Sequence, residues 1–146
     1  MKIANSRAYH DYQILETFEA GINLYGAEVK AVRLGHVDLT GSYVRIINGE
    51  AQLIGAQIFP YEYARPENYD LKRTRRLLLH KKELLGLKSK MDSQNLTLVP
   101  ISLYTTKHYI KLQLGLGKGK KEYQKREAMK RKDLDRELEQ AFRGKK

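Results

Sequence analysis

The stretch Y-I-K-L-Q-L-G-L, Tyr109 to Leu116, alternates strictly. Ile110, Leu112, Leu114 and Leu116 share one parity, and Tyr109, Lys111 and Gln113 the other. Strand side chains point alternately to opposite faces, so the pattern predicts a half-buried β-strand with one side closing a core. The alternation stops at Lys118, where the chain continues K-G-K-K-E-Y-Q-K-R. A fold for this chain must therefore finish a sheet here and carry a charged segment beyond it.

The remaining elements follow from period and punctuation. D-Y-Q-I-L-E-T-F, Asp11 to Phe18, places Tyr12, Ile14 and Phe18 at period two with Glu16 out of phase, a strand closed by Gly21. From Leu24 to Leu34 the period becomes helical through Leu24, Ala27, Ala31 and Leu34, and Gly35 stands where a C-cap belongs. Tyr43 to Phe59 reads as a hairpin about Asn48-Gly49, a dipeptide that accepts the positive φ of a type I′ turn. Pro60 and Pro66 bracket a tyrosine-rich loop. Arg75 to Met91, leucine-rich amid Lys and Glu, reads as a helix, with Thr74, Asn68 or Asp70 as its cap. Leu96 to Tyr104 supplies the strand before Tyr109, and Pro100 places it at an edge or a bulge.

This order predicts a mainly β fold, an antiparallel barrel of the oligonucleotide-binding (OB) type with two or three flanking helices over residues 1–117. Residues 118–146 form a basic tail. Leu134, Leu138 and Phe142 recur at i, i+4 and i+8, and Glu122–Arg126, Glu127–Arg131 and Glu139–Arg143 are i,i+4 pairs in the favourable order. So narrow an apolar stripe does not hold a lone helix in water. The tail is expected to be disordered when free and helical on a phosphate-lined partner. The other reading docks it on the barrel through Leu134, Leu138 and Phe142.

A formal net charge of +11, with clustered lysines and arginines, points to a polyanion partner. With no cysteine, disulfides, thiolate zinc sites and a cysteine nucleophile are excluded. No stretch approaches a membrane span or a secretory leader, so a cytoplasmic, non-membrane protein is expected. His10, His36, His80 and His108 fall in no metal-binding spacing. His10-Asp11 as a base and its orienter is a poor reading if both lie on a strand, because neighbours point oppositely. G-L-G-K-G-K-K lacks the Ser/Thr and strand-to-helix setting of a phosphate loop. No enzyme, metal or cofactor is therefore expected. Tyr9, Tyr61, Tyr63, Tyr69 and Tyr109 fall in loops or on polar faces, where they either stack on unpaired bases or lie as amphipathic lids.

Six segments in order carry a resemblance. They are N-S-R-A-Y-H-D-Y (Asn5 to Tyr12), F-E-A-G-I-N-L-Y-G-A-E-V-K-A-V-R (Phe18 to Arg33), G-S-Y (Gly41 to Tyr43), R-T-R-R-L-L-L-H-K-K-E-L (Arg73 to Leu84), L-V-P-I-S-L-Y (Leu98 to Tyr104) and K-G-K-K (Lys118 to Lys121). Over nearly its whole length the chain resembles the SsrA-binding protein (small protein B, SmpB) family. The resemblance implies a barrel that grips the tRNA-like domain of transfer-messenger RNA around its D-loop. It also implies a tail that enters the empty message channel and decoding centre of the small subunit and folds there as a helix. Such a protein is an adaptor of trans-translation, a monomer in the complex, and performs no chemistry.

By matching position, the resemblance assigns the RNA face to Asn5, Glu19 and Leu78, with Arg7, His10, Lys30, Arg33 and Lys107 as further contacts. By periodicity alone Leu78 would be a core leucine. Lys118, Lys120 and Lys121 match the family's tail lysines, and Tyr123, Gln124, Lys125, Arg126, Lys130 and Arg131 complete the ribosome-binding set. Gln124-Lys125-Arg126 stands where the family usually has Asp-Lys-Arg; Gln124 can still donate and accept hydrogen bonds. Gly115, Gly117 and Gly119 would let the tail leave the barrel at variable angles, or are plain strand-end residues, a reading that stays open above all at Gly115. Two other readings stay open, a basic rRNA-binding ribosome-associated protein with no rescue role and a small RNA-processing enzyme using His10 or His108.

Overall fold

A computed structural model of the chain describes residues 1–61, 68–120 and 122–144, with side chains in the last segment described at 126 and 130–141. In chain order the elements are β1 (Lys2–Ala4), α1 (Ser6–Asp11), β2 (Tyr12–Ile22), α2 (Gly26–Arg33), β3 (Val37–Asp38), β4 (Tyr43–Ile47), β5 (Glu50–Ile54), β6 (Gln57–Ile58), β7 (Arg75–Leu78), α3 (Lys81–Gln94), β8 (Thr97–Thr105), β9 (Ile110–Gly119) and α4 (Glu122–Gly144). One antiparallel sheet runs β1-β8-β4-β5-β7-β2-β9, and β8 also pairs with β9. That second pairing closes β8, β4, β5, β7, β2 and β9 into a ring, the OB-type barrel expected from the sequence. β3 and β6 form a separate two-stranded ribbon.

The alternating stretch is the heart of this barrel. Leu112, Leu114 and Leu116 of β9 point inward and meet Leu98, Leu103, Leu53 and Leu77 from neighbouring strands. Ala31 and Val32 of α2 and Leu87 of α3 cover the same core. Fully burying one such leucine contributes roughly 1.5–3 kcal/mol. The hairpin turn is as expected, with Asn48 at φ 52° and Gly49 at φ 76°. Its second strand ends early, at Ile54, because Gly55 (φ 86°) redirects the chain so that Gln57–Ile58 pair with β3. Pro100 marks a bulge: the β8–β9 register shifts between Pro100 and Ser102. A second shift between Ile14 and Glu16 explains why Glu16 breaks the period of β2.

Several expectations differ from the structure. Residues 75–78 are a strand and not the start of a helix, which begins at Lys81 after the N-cap His80, so Thr74 caps nothing. In β7, Arg75 and Leu77 are buried while Arg76 and Leu78 are exposed. That period of two is hidden in sequence because the inward residue is an arginine. Helix α2 begins at Gly26 and buries Glu28, Ala31 and Val32, whereas Leu34 is 49% exposed.

The third difference concerns the glycines. β9 continues through Gly119, so Gly115 and Gly117 lie inside the ladder. A Cβ at Gly115 would fall 2.7 Å from Ile101 Cδ1, and one at Gly117 would fall 2.8 Å from the Gln13 carbonyl oxygen. At Gly117 the Gln13 backbone closes over the position and requires glycine, whereas at Gly115 the crowding comes from the ends of the Ile101 and Ile14 side chains; both lie inside the ladder and are not hinges. Gly119 alone of the three has open space around its Cα.

One ion pair fixes the parity of β7. Arg75 Nε and Nη2 donate to Glu28 Oε2 at 2.9 and 2.6 Å, and Nη1 donates to the Ala56 carbonyl at 2.7 Å. Arg73 donates to the other carboxylate oxygen, which also accepts the Tyr25 N–H at 2.9 Å. Burial pushes the Glu28 pKa up, but the bonds from Arg73, the Tyr25 N–H and Arg75 outweigh it and hold the group below its usual value. Removing one member of such a pair strands the other charge. Arg75→Met should therefore destabilise the fold by about 3–5 kcal/mol in urea titration. Because the folded pKa of Glu28 is depressed, its contribution is present above the unfolded value near 4.5 and is lost as pH falls through the folded value. Wild-type stability should show that loss in acid, and Glu28→Gln should flatten it.

Candidate nucleic-acid interface

Strand pairing brings residues far apart in sequence into two rows. Lys2 pairs with Tyr104, Tyr104 with Lys111, Lys111 with Gly21, and Gly21 with Leu78. Ala4, Ser102, Gln113 and Glu19 form the adjacent row. Because their alternates Leu103, Leu112, Ala20 and Leu77 fill the core, both rows face outward across β1, β8, β9, β2 and β7.

Glu19 sits at the centre of this face, between two hollows. One is lined by Lys2, Phe18, Tyr104 and Gln113, the other by Gly21, Leu78, His80 and Lys111. Lys111 Nζ lies 3.8 Å from Glu19 Oε1 and 5.7 Å from the centroid of Tyr109. Leu78 is 55% exposed, so the periodicity that would make it a core leucine misjudges it. A Cβ at Gly21 would fall 3.2 Å from Leu78 Cβ; the glycine makes the floor on which Leu78 lies. At Tyr104 burial raises the phenol pKa, and the Glu19 carboxylate raises it further by hydrogen bonding and charge.

The β8–β9 turn extends this face toward α2. Arg33 Nη1 donates to the Thr106 carbonyl at 2.8 Å, beside exposed Lys107 and Tyr109. Lys30 lies over the Tyr61 ring at 5.3 Å. Tyr9 and Tyr109 are at least half exposed, whereas Tyr69 is half-buried and donates to the Ile58 carbonyl at 2.7 Å. Tyr63, Pro66 and Lys121 lie outside the described residues, as do the side chains of Tyr123, Gln124 and Lys125.

Asn5 is buried, not on the open face. Its Nδ2 donates to the carbonyls of Pro100 at 2.9 Å and Leu39 at 3.3 Å, pinning the start of α1 to β8. At the other end of α1, His10 Nδ1 lies 2.7 Å from Asp11 Oδ1, and Arg7 Nε lies 3.7 Å from Asp11 Oδ2. The His–Asp contact forms because both residues end a helix that the strand reading overlooked. Lys120 Nζ donates to the Tyr9 carbonyl and its N–H to the Asp11 carbonyl, both at 2.9 Å, so the root of the tail is held on α1. Beyond it, Arg126, Lys130 and Arg131 are exposed on α4. Leu134 and Leu138 are 56% and 57% exposed, so neither docks the helix on the barrel, and the Phe142 side chain lies outside the described residues.

Sequence reasoning did not single out Lys2, Gly21, Tyr104 or Gln113. The signal for Gln113 was present in the polar side of the alternating stretch. The others depend on pairing partners that no local pattern reveals. Among the described residues no group of His, Cys, Asp or Glu could hold a metal ion, and no helix is long and apolar enough to cross a membrane.

The family model of the SmpB protein matches residues 2–144. The chain belongs to the SmpB family. It is 52% identical over 139 residues to the SsrA-binding protein of Carboxydothermus hydrogenoformans, spanning 95% of this chain and 93% of that one. To the SsrA-binding protein of Persephonella marina it is 47% identical over 141 residues, 97% of this chain and 93% of that one. A solved chain described as "tmRNA-SmpB: a journey to the center of the bacterial ribosome" superposes with a TM-score of 0.69 at 50% identity, covering 83% of this chain and 85% of that chain. The SmpB match takes in barrel and tail alike.

The Glu19–Tyr104 contact can be checked directly. Glu19→Gln should lower the Tyr104 pKa while leaving it above 10, because burial remains. A titration of 13C-labelled tyrosines would read this, and an unmoved Tyr104 would show that the two groups do not touch.

Proposed function

We propose that the chain is an RNA-binding adaptor that takes the tRNA-like domain of transfer-messenger RNA to stalled ribosomes for trans-translation. The observation that carries the reading is the outward face of β8, β9, β2 and β7, within a chain matched to the SmpB model from end to end. Its chemistry is mixed in a way that suits a folded RNA. Glu19 and Gln113 can accept from base amino groups, and Tyr109 can stack on an unpaired base. Lys111, Lys107, Arg33 and Lys30 answer phosphates. Leu78 offers apolar contact to a base or sugar. Asn5 acts from behind, by holding the helix that carries Arg7 and His10. The complex needs one copy of the chain and no cofactor or chemical step of its own. Its ribosomal partner places the chain in the cytoplasm.

In the same proposal the tail, with Lys118, Lys120, Lys121, Tyr123, Gln124, Lys125, Arg126, Lys130 and Arg131, enters the message channel of the small subunit. The helix α4 is then the conformation we propose for the ribosome-bound state, and in the free chain in solution the segment is proposed to be disordered. The like charges of α4 and its exposed Leu134 and Leu138 support this, since rRNA would both screen the charges and cover the leucines.

Binding to the tRNA-like domain should exceed binding to an ordinary tRNA, and the preference should persist at higher salt and weaken in Glu19→Ala. Equal binding to both RNAs, lost together as salt rises, would leave only a basic protein. Truncation after Lys120, which keeps the last rung on α1, should spare that binding and abolish peptide tagging. Joint loss of binding and tagging would contradict the division of labour.

A further inference from the structure

A third outward row borders the face already described. Arg45 of β4 pairs with Gln52 of β5, and Gln52 pairs with Arg76 of β7. Their alternates Val44, Ile46, Ala51, Leu53 and Leu77 are core residues, so all three side chains point away from the barrel. Arg76 and Leu78 are two residues apart on one strand and share its outer side. The arginine row is therefore continuous with the row that ends on Leu78.

The fold itself makes little use of these arginines. Arg75 and Arg73 are committed to Glu28, but the exposed Arg45 side chain makes no ion pair or hydrogen bond among the described residues. Arg76 has one carboxylate near it, Glu50 at 3.6 Å, and the two side chains are 58% and 42% exposed. An exposed pair at that separation contributes little to stability. Two strand spacings set the backbones of Arg45 and Arg76 about 10 Å apart, with the Gln52 amide between them. A guanidinium offers several donors in a plane and suits phosphate oxygens.

We infer that Arg45 and Arg76 form a backbone clamp that extends the RNA face along β7, β5 and β4. Its ligand is the sugar–phosphate chain of the same RNA that rests on Leu78, with Gln52 placed for a ribose hydroxyl between two phosphates. The clamp rests on the RNA-adaptor reading above. Glu50 competes with phosphate for Arg76, so it opposes binding and limits contact with polyanions that do not fit the face.

The test uses the full chain, the tRNA-like domain of transfer-messenger RNA and a salt series. Arg45→Gln and Arg76→Gln should each weaken binding about three- to tenfold near 0.1 M salt and lower the slope of log K against log salt by about one. Glu50→Gln should strengthen binding about two- to threefold, an effect that a merely structural role would not produce. Lys88→Gln, in the middle of α3 and paired with Asp92, serves as the control and should leave the slope unchanged. Thermal midpoints within a few degrees of wild type establish that the variants are folded. Arginine variants that match a selective wild type in affinity and slope overturn the clamp alone. Equal slope loss in Lys88→Gln also overturns it, since bulk charge would then explain the effect. A wild-type chain that does not prefer the tRNA-like domain overturns the adaptor reading and the clamp with it.

Discussion

The Glu28–Arg75 pair decides which side of the barrel faces outward. Its carboxylate leaves helix α2 and its guanidinium leaves strand β7, and both are buried. Because a strand alternates, an inward Arg75 forces Arg76 and Leu78 outward; a slip of one residue would exchange the faces. An unpaired guanidinium in the core would be so unfavourable that the register has no competitor. The exposed leucine, the glycine beneath it and the arginine beside it all follow from this contact.

The fold was legible where local pattern and tertiary environment agree. The strict alternation of β9 and the Asn48-Gly49 turn each express one physical rule, and both stand in the structure as read. Residues 75–78 were not legible because an inward arginine looks polar and the three leucines that follow fit a helix equally well. α1 escaped notice because a six-residue helix buries one residue, Ala8, and offers no periodicity to count. For the candidate site, the polar edge of β9 could be seen in sequence. Its neighbours Lys2, Tyr104, Gly21 and Leu78 come from four other strands, and only long-range pairing gathers them.

The glycine-rich stretch before the tail illustrates how one composition can serve two needs. Gly115 and Gly117 look like freedom for the exit, yet they admit Ile101 and the Gln13 backbone at contact distance. The barrel holds its chain through Gly119, and Lys120 adds a last rung and a side-chain bond to α1. The tail thus starts from a defined point beside Arg7 and His10. Whatever RNA engages α1 also meets the root of the segment proposed for the message channel.

In the proposed complex the RNA rests on the outward rows of β9, β2 and β7. Amide chemical-shift mapping of the full chain on addition of the tRNA-like domain locates that contact residue by residue. The largest changes are expected at Glu19, Gly21, Leu78, Lys111 and the Thr106–Tyr109 turn, with little change in the β3–β6 ribbon. Changes confined to the tail, with this face unmoved, would contradict it.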